Sequence, residues 1–231
     1  MHRRARTQED KQLRREAILR AALELWARST FDEFTMAGLA RRTRLAKGTL
    51  YLYFPTKEAL LLQLLELRLD RWLSELEASL ESDPSLRDPD GAARHVASTL
   101  VADEPLVRLL MVLGTVLEHN VPEQDIRAFK SFLATRLAGT ARVLERRLPF
   151  LANQGGVRLL LHLQALVSGL GQLTRPAPVV ARVIAAPEFA PFRLDFEEEL
   201  RLALAALLRG FGAAFSTTRT KKLDVPSRRQ S

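Results

Sequence analysis

Cysteine is absent from this 231-residue chain. That removes thiol nucleophiles, redox pairs and thiolate metal sites together, and it is consistent with a reducing cytoplasm. Long apolar runs are missing too. The most apolar segment, residues 157–173, is interrupted by His162, Gln164, Ser168 and Gln172, which points to a buried helix rather than a membrane span. The first eleven residues are basic with no apolar stretch behind them, so no secretory signal is expected. Strand-like alternation and hairpin turn signals are lacking as well; Asp90-Gly91 lies between proline-rich polar residues and a helical pattern. Helical spacing recurs instead from end to end, and the fold class is all-α. The four histidines, at 2, 95, 119 and 162, have no metal-ligand spacing, and neither a nucleophile elbow nor a phosphate-cradling glycine loop occurs. No catalytic site, metal site or cofactor is expected. The acidic run Asp195 to Glu199 begins a helix, where negative charge suits the dipole.

What is present is length and an uneven charge. A chain of this size buries a hydrophobic core without disulfides or metal. Its formal charge of +8 divides into +6 over residues 1–60, −2 over 61–216 and +4 over 217–231. Positive charge thus gathers at the ends, as it would if one module met a polyanion; two solvated basic tails would give the same numbers.

The apolar period predicts helices over 8–29, 36–43, 46–53 and 56–80. Ile18, Ala22, Leu25 and Trp26 line the first, and Leu60, Leu64, Leu67 and Trp72 face inward from the fourth. Thr35 and Thr56 are N-cap candidates, and Pro55 stops the third helix by biasing Phe54 away from helical geometry. The segment 82–91 is the clearest break, with two prolines, a glycine and several aspartates and serines. Further helices are expected near 91–102, 105–119, 123–148, 155–174 and 195–216, with residues 176–191 as a connector. Residues 217–231 are expected to be a basic, disordered tail.

Two helices of about eight residues, joined by a short turn and braced by longer ones, have the proportions of a helix-turn-helix. Its second member would read DNA. Leu50 and Phe54, four apart, anchor it against Leu39, Ala40 and the first helix, leaving Lys47, Gly48, Thr49 and Tyr51 to Tyr53 outward. Glycine within a helix costs about 1 kcal/mol relative to alanine, and close approach of the backbone to DNA would explain Gly48.

Phe34-Thr35-Met36-Ala37-Gly38-Leu39-Ala40, followed by Lys47-Gly48-Thr49-Leu50-Tyr51-Leu52-Tyr53-Phe54-Pro55-Thr56-Lys57-Glu58-Ala59-Leu60, resembles the N-terminal domain of the TetR/AcrR family of bacterial regulators. The resemblance covers about residues 11–62. It implies that Thr35, Lys47, Thr49, Tyr51, Tyr53 and Lys57 meet phosphates or bases and that Leu52 faces the groove. Taken singly, Thr35 is also a plain N-cap, the lysines solvated charges and the tyrosines core aromatics. The family's turn carries glycine, a small apolar residue and serine where this chain has Arg44-Leu45-Ala46. A left-handed Arg44 would be strained by about 1 kcal/mol, and a phosphate contact by its guanidinium would offset that. Arg3, Arg4 and Arg6 resemble a basic arm, although an ordinary terminus has the same composition.

The resemblance also implies an organisation: residues 1–57 as a three-helix DNA-binding domain, 58–216 as a larger helical effector and dimerisation domain, and 217–231 as the tail. Apolar residues cover most of the circumference of 157–173, so that helix must bury more than one face. Homodimerisation through 155–174 and 195–216 would cover both, and two reading heads suit a two-fold operator. By the same resemblance the middle helices enclose an effector pocket for an apolar or amphipathic small molecule, with Trp72, Leu109, Leu113, His119, Phe129, Phe132, His162 and Leu166 as candidate lining; each is equally a core residue. The function implied is a cytoplasmic homodimeric repressor released from double-stranded operator DNA by that effector. The alternatives are a helical small-molecule-binding protein, or a DNA-binding activator or architectural protein without an effector response.

Overall fold

The structure, a computed structural model, describes the backbone of residues 2–151 and 155–221 and the side chains of 8–151 and 155–211. Among these residues there is no strand. The helices are α1 (His2–Trp26), α2 (Met36–Thr43), α3 (Lys47–Tyr51), α4 (Lys57–Ser82), α5 (Pro89–Ala102), α6 (Glu104–Val112), α7 (Glu123–Arg147), α8 (Gly155–Thr174), α9 (Pro178–Ile184) and α10 (Phe196–Lys221). Short 3₁₀ turns occupy Pro84–Arg87, Pro149–Leu151 and Pro187–Phe192, and a π-helical turn occupies Leu113–Leu117. The chain divides into two compact units: Met1–Asp70 with Asp103–Leu133, and Arg71–Ala102 with Ala134–Ser231. Compactness therefore divides the chain inside α4 and α7.

The first unit gathers α6 and the start of α7 around the N-terminal helices. Ile18, Ala22 and Trp26 are buried along α1 as the period requires, and Leu25 is half-buried. Helix α1 ends at Trp26, short of Ser29, because its last amides turn back onto nearer carbonyls while the Ser29 hydroxyl donates to Leu25 O at 2.8 Å. The Trp26 ring meets Phe34 edge-on at 6.1 Å, and its Nε1 donates to Pro105 O at 3.0 Å. Arg108 of α6 lies 4.9 Å from the same ring centroid and donates to Trp26 O, a cation–π contact combined with a C-terminal cap. Arg68 of α4 pairs with Asp103, whose carboxylate also caps α6 through Leu106 N at 3.2 Å.

Leu67 corrects the inward stripe expected of α4. It is 54% exposed, whereas Leu60, Leu61, Leu64, Leu65, Leu69 and Trp72 are buried. At 100° per residue Leu67 falls about 60° back from Leu64, while the buried sector advances in the other direction along the helix. The π turn is a second difference, since one helix was expected over 105–119. Glu118 N donates to Leu113 O, five residues back, at 3.2 Å, so the register changes at Gly114.

In the second unit α10 packs on α5 and α8, and α5 on the 3₁₀ turn before it. Prolines begin three of these helices. Pro89 opens α5, Pro105 lies in the first turn of α6, and Pro178 opens α9, because a first-turn residue has no intrahelical use for its N–H. This is why 176–191 contains a helix and a 3₁₀ turn rather than a plain connector. Asp88 caps α5, accepting from the amides of Asp90 and Gly91 at 3.0 Å each. A side chain on Gly91 would stand 2.2 Å from Ser85 O. Glu145 of α7 accepts from Gly156 N at 2.9 Å, and a Cβ on Gly156 would lie 2.7 Å from Ala141 O, so the glycine permits the close crossing of α7 and α8. Helix α10 continues to Lys221, beyond the expected end at 216; residues 222–231 of the expected tail, and the side chains of Arg3, Arg4 and Arg6, lie outside the described residues.

Candidate nucleic-acid interface

Helix α2 starts where Thr35 adopts an extended conformation and its Oγ1 accepts from Gly38 N at 3.1 Å, an N-cap worth about 1 kcal/mol. It ends at Arg44, whose φ of 56° and ψ of 31° are left-handed. Among the described residues this is the one non-glycine position with positive φ. Leu45 N then donates to Ala40 O at 3.1 Å, closing the turn. Ala46 occupies the N-cap of α3 with no side-chain bond, so its carbonyl, which accepts from Thr49 N at 2.9 Å, is the acceptor that this residue offers the first turn.

Helix α3 is shorter than the expected 46–53, and its orientation rests on two anchors. Leu50 and Phe54 are completely buried, and Phe54 N donates to Leu50 O at 2.9 Å as the chain leaves the helix. Arg15 of α1 lies 4.9 Å from the Phe54 ring centroid. With those side chains inward, Lys47, Gly48, Tyr51 and Leu52 are exposed, Leu52 by 80%. Thr49 and Tyr53 are half-buried at the flanks. A Cβ on Gly48 would meet nothing within 4 Å, so packing within this chain does not require glycine there.

Thr35, Lys47, Tyr51 and Lys57 share one open hollow of about 540 Å³, walled also by Met36, Ala37 and Pro55. The Lys47 ammonium sits 5.9 Å above the Tyr51 ring. Lys57 is more constrained than a solvated lysine: its Nζ donates to Phe31 O at 3.2 Å and lies 3.8 Å from the Phe31 ring centroid. It braces the loop before α2 while bordering the hollow. Arg44 is exposed on the turn. Arg41, which the sequence reading did not single out, is exposed in the last turn of α2. Its place one turn after Gly38 was the available signal. Arg42 instead pairs with Glu24, and that hydrogen bond holds the Glu24 carboxyl below the usual range.

The eight effector candidates are dispersed. Leu109, Leu113 and Phe129 are buried in the first unit, where Phe132 stacks on Phe129 at 6.5 Å and is half-buried, and His119 is exposed with its Nε2 3.2 Å from Gly114 O. In the second unit Trp72 is buried and donates to Thr99 Oγ1 at 3.2 Å, Leu166 is half-buried, and His162 is exposed beside Phe211 at 6.1 Å. A cavity of about 20 Å³ in this unit is lined by none of them. Its wall is ten leucines with Ala92, Val96 and His95, drawn from α4, α5, α7, α8, α10 and the turn containing Leu86. His95 was not expected here, because a lone histidine on an apolar helix face carries no distinguishing pattern.

Helices α8 and α10 each bury one face and expose apolar residues on another. Leu159, Leu160, Leu163 and Val167 are buried on α8 while Leu161 is 55% exposed; on α10 Leu200, Leu204 and Leu208 are buried while Leu202 is 48% exposed. Among the described residues no helix is long and apolar enough to cross a membrane, and no group of three histidine or acidic side chains could hold a metal ion.

Comparison with known proteins agrees with this geometry. Residues 18–64 match the family described as bacterial regulatory proteins, tetR family, and residues 66–214 match the tetracyclin repressor-like C-terminal domain. Among curated proteins, the HTH-type transcriptional regulator EthR of Mycolicibacterium smegmatis is 37% identical over 82 residues, which cover 36% of this chain and 37% of that one. The uncharacterized HTH-type transcriptional regulator YuxN of Bacillus subtilis is 34% identical over 59 residues, covering 26% and 20%. The matched stretches thus span well under half of either relative. Two solved structures align over 83% of the chain with a TM-score of 0.47: the TetR-family repressor FadR of Thermus thermophilus with lauroyl-CoA, 25% identical and covered to 93%, and FadR of Bacillus subtilis with stearoyl-CoA, 20% identical and covered to 95%. Because the C-terminal family profile alone matches more than half of the residues, and the N-terminal profile falls on the helix-turn-helix just described, the chain belongs to the TetR family of bacterial regulators.

Proposed function

We propose that this chain is a homodimeric transcriptional repressor, acting in the cytoplasm, which holds double-stranded operator DNA through α2 and α3 and releases it when a small molecule binds the helical body. The observation that carries this reading is the two-sidedness of α3. Leu50 and Phe54 fix it from behind, while Lys47, Gly48, Tyr51 and Leu52 stand in solvent with a clear approach to the backbone at Gly48. Thr35, Thr49 and Tyr53 supply hydroxyls at the flanks, and Arg44, Lys47 and Lys57 supply positive charge for phosphates. The exposed leucines of α8 and α10 support the dimer, since a second copy would cover them and set two heads about one DNA turn apart. The reading needs no catalytic group.

The test is fluorescence anisotropy on duplexes carrying inverted repeats from the DNA flanking the gene, titrated across salt. The expected result is one repeat bound at least 10³-fold tighter than random duplex, and loss of that preference in Tyr51→Ala and Leu52→Ala variants whose melting temperatures are unchanged. Equal affinity for every duplex, or variants that bind like wild type, would overturn it.

A further inference from the structure

The face that α3 turns to solvent is half apolar. Leu50 and Phe54 hold the helix from behind, so its outward positions are Lys47, Gly48, Tyr51 and Leu52. Lys47 and Tyr51 keep together, with the ammonium 5.9 Å from the ring centroid. Gly48 and Leu52 are the other pair, and neither has a side-chain group that donates or accepts a hydrogen bond. Leu52 keeps helical dihedrals at the C-cap, φ −70° and ψ −23°. It therefore follows Gly48 by one turn on the same side of the helix and leans back toward it. Its side chain is 80% exposed, more than any other large apolar one among the described residues. A Cβ on Gly48 would find no atom within 4 Å, so the backbone beside the leucine is bare.

What covers this apolar spot must sit in an anionic frame, because Lys47 on the same helix, and Arg41 and Arg44 just before it, are exposed. A DNA duplex has that combination. Its phosphates are anionic, and the 5-methyl of thymine is the one apolar group that base edges present in the major groove. The other edges are poorer partners, since a purine carbonyl or a cytosine amine set against Leu52 would lose water and gain no bond. We propose that each operator half-site carries a thymine whose 5-methyl packs against Leu52, with the bare Gly48 leaving room for the base edge, so that Leu52 is a specificity-determining residue that reads a methyl group. This rests on the operator-binding reading above and names the base chemistry that α3 selects.

The test uses the full chain and the inverted repeat that binds best, in anisotropy at one low salt concentration. Each thymine is replaced in turn, in both half-sites together, by deoxyuridine, which keeps the base pair and removes only the methyl. At one position the replacement should weaken wild-type binding about fifteenfold, or about fourfold per half-site, the value of one buried methyl-sized group. At that position 5-methylcytosine should bind about fifteenfold tighter than cytosine. Leu52→Ala should bind the thymine and deoxyuridine duplexes alike, and Leu52→Met, apolar and of similar volume, should keep most of the difference. No sensitive thymine, a sensitivity undiminished in Leu52→Ala, or 5-methylcytosine no better than cytosine would each overturn the proposal. Where Leu52→Ala binds every duplex too weakly to compare, Leu52→Met and 5-methylcytosine decide it. A repeat preferred over random duplex but without a sensitive thymine sinks the methyl contact alone, and no preferred repeat sinks the repressor reading with it.

Discussion

Substituting Arg44 separates backbone strain from charge at one position. With φ at 56°, a side chain there is strained by about 1–2 kcal/mol, which glycine would relieve. Glycine also frees the unfolded chain by about 0.4–1 kcal/mol, so Arg44→Gly should stabilise by between zero and about 1.6 kcal/mol, or at most roughly 3–6 °C for a chain of this size. Arg44→Ala keeps the strain and should leave the melting temperature nearly unchanged. Both variants remove the guanidinium. If it meets a phosphate, each head loses one counterion-releasing contact, and the slope of log K against log salt should become shallower by about 0.9 per head, or about 1.8 per dimer, in both. Affinity should fall alike on operator and random duplex, because a phosphate contact carries no sequence information. The assay is anisotropy at four or more salt concentrations with melts run in parallel. An unchanged slope in both variants refutes the phosphate role, and slopes that differ between them refute the separation of charge from strain.

Gly48→Ala should stabilise the free protein by up to about 1 kcal/mol, since its Cβ meets nothing within 4 Å, while weakening operator binding tenfold or more; full binding by a stabilised variant would dismiss close approach of the DNA backbone. Trp26→Phe should cost about 1–3 kcal/mol in urea unfolding at constant m, because the Pro105 carbonyl loses the indole donor; a change under about 0.5 kcal/mol would show that the bond contributes nothing net. Burial raises the Glu66 carboxyl above its ordinary 4.5, with Arg15 opposing and Asp125 reinforcing the shift. The folded state then holds that proton more tightly than the unfolded chain, so ionised Glu66 destabilises the fold above the raised value and has no such effect below about 4.5. Glu66→Gln should therefore raise the melting temperature at pH 7 to 8, with the gain fading toward pH 4; a gain of equal size at pH 4 would contradict the cause.

The reading head was legible because its signals are local. Thr35 caps within three residues, Pro55 stops α3 from the next turn, and Leu50 and Phe54 are four apart, so sequence distance stands in for spatial distance. Pro178 misled for a related reason: it begins a helix inside the expected connector, and only the position of the following amides distinguishes a start from a gap. Leu67 was misjudged because helical spacing gives relative angles but not which sector the neighbours cover.

By itself, then, the order of residues determined an all-helical chain, the limits of most helices and the outward face of α3, since these depend on 3.6-residue periodicity, capping and proline chemistry acting within a turn or two. The tertiary structure alone decided that α6 clasps Trp26, that Lys57 is tied to Phe31, and that His95 rather than His119 or His162 borders a cavity of leucines. Those pairings join residues tens of positions apart, where steric fit and the pairing of buried polar groups choose among many contacts that the periodicity permits equally.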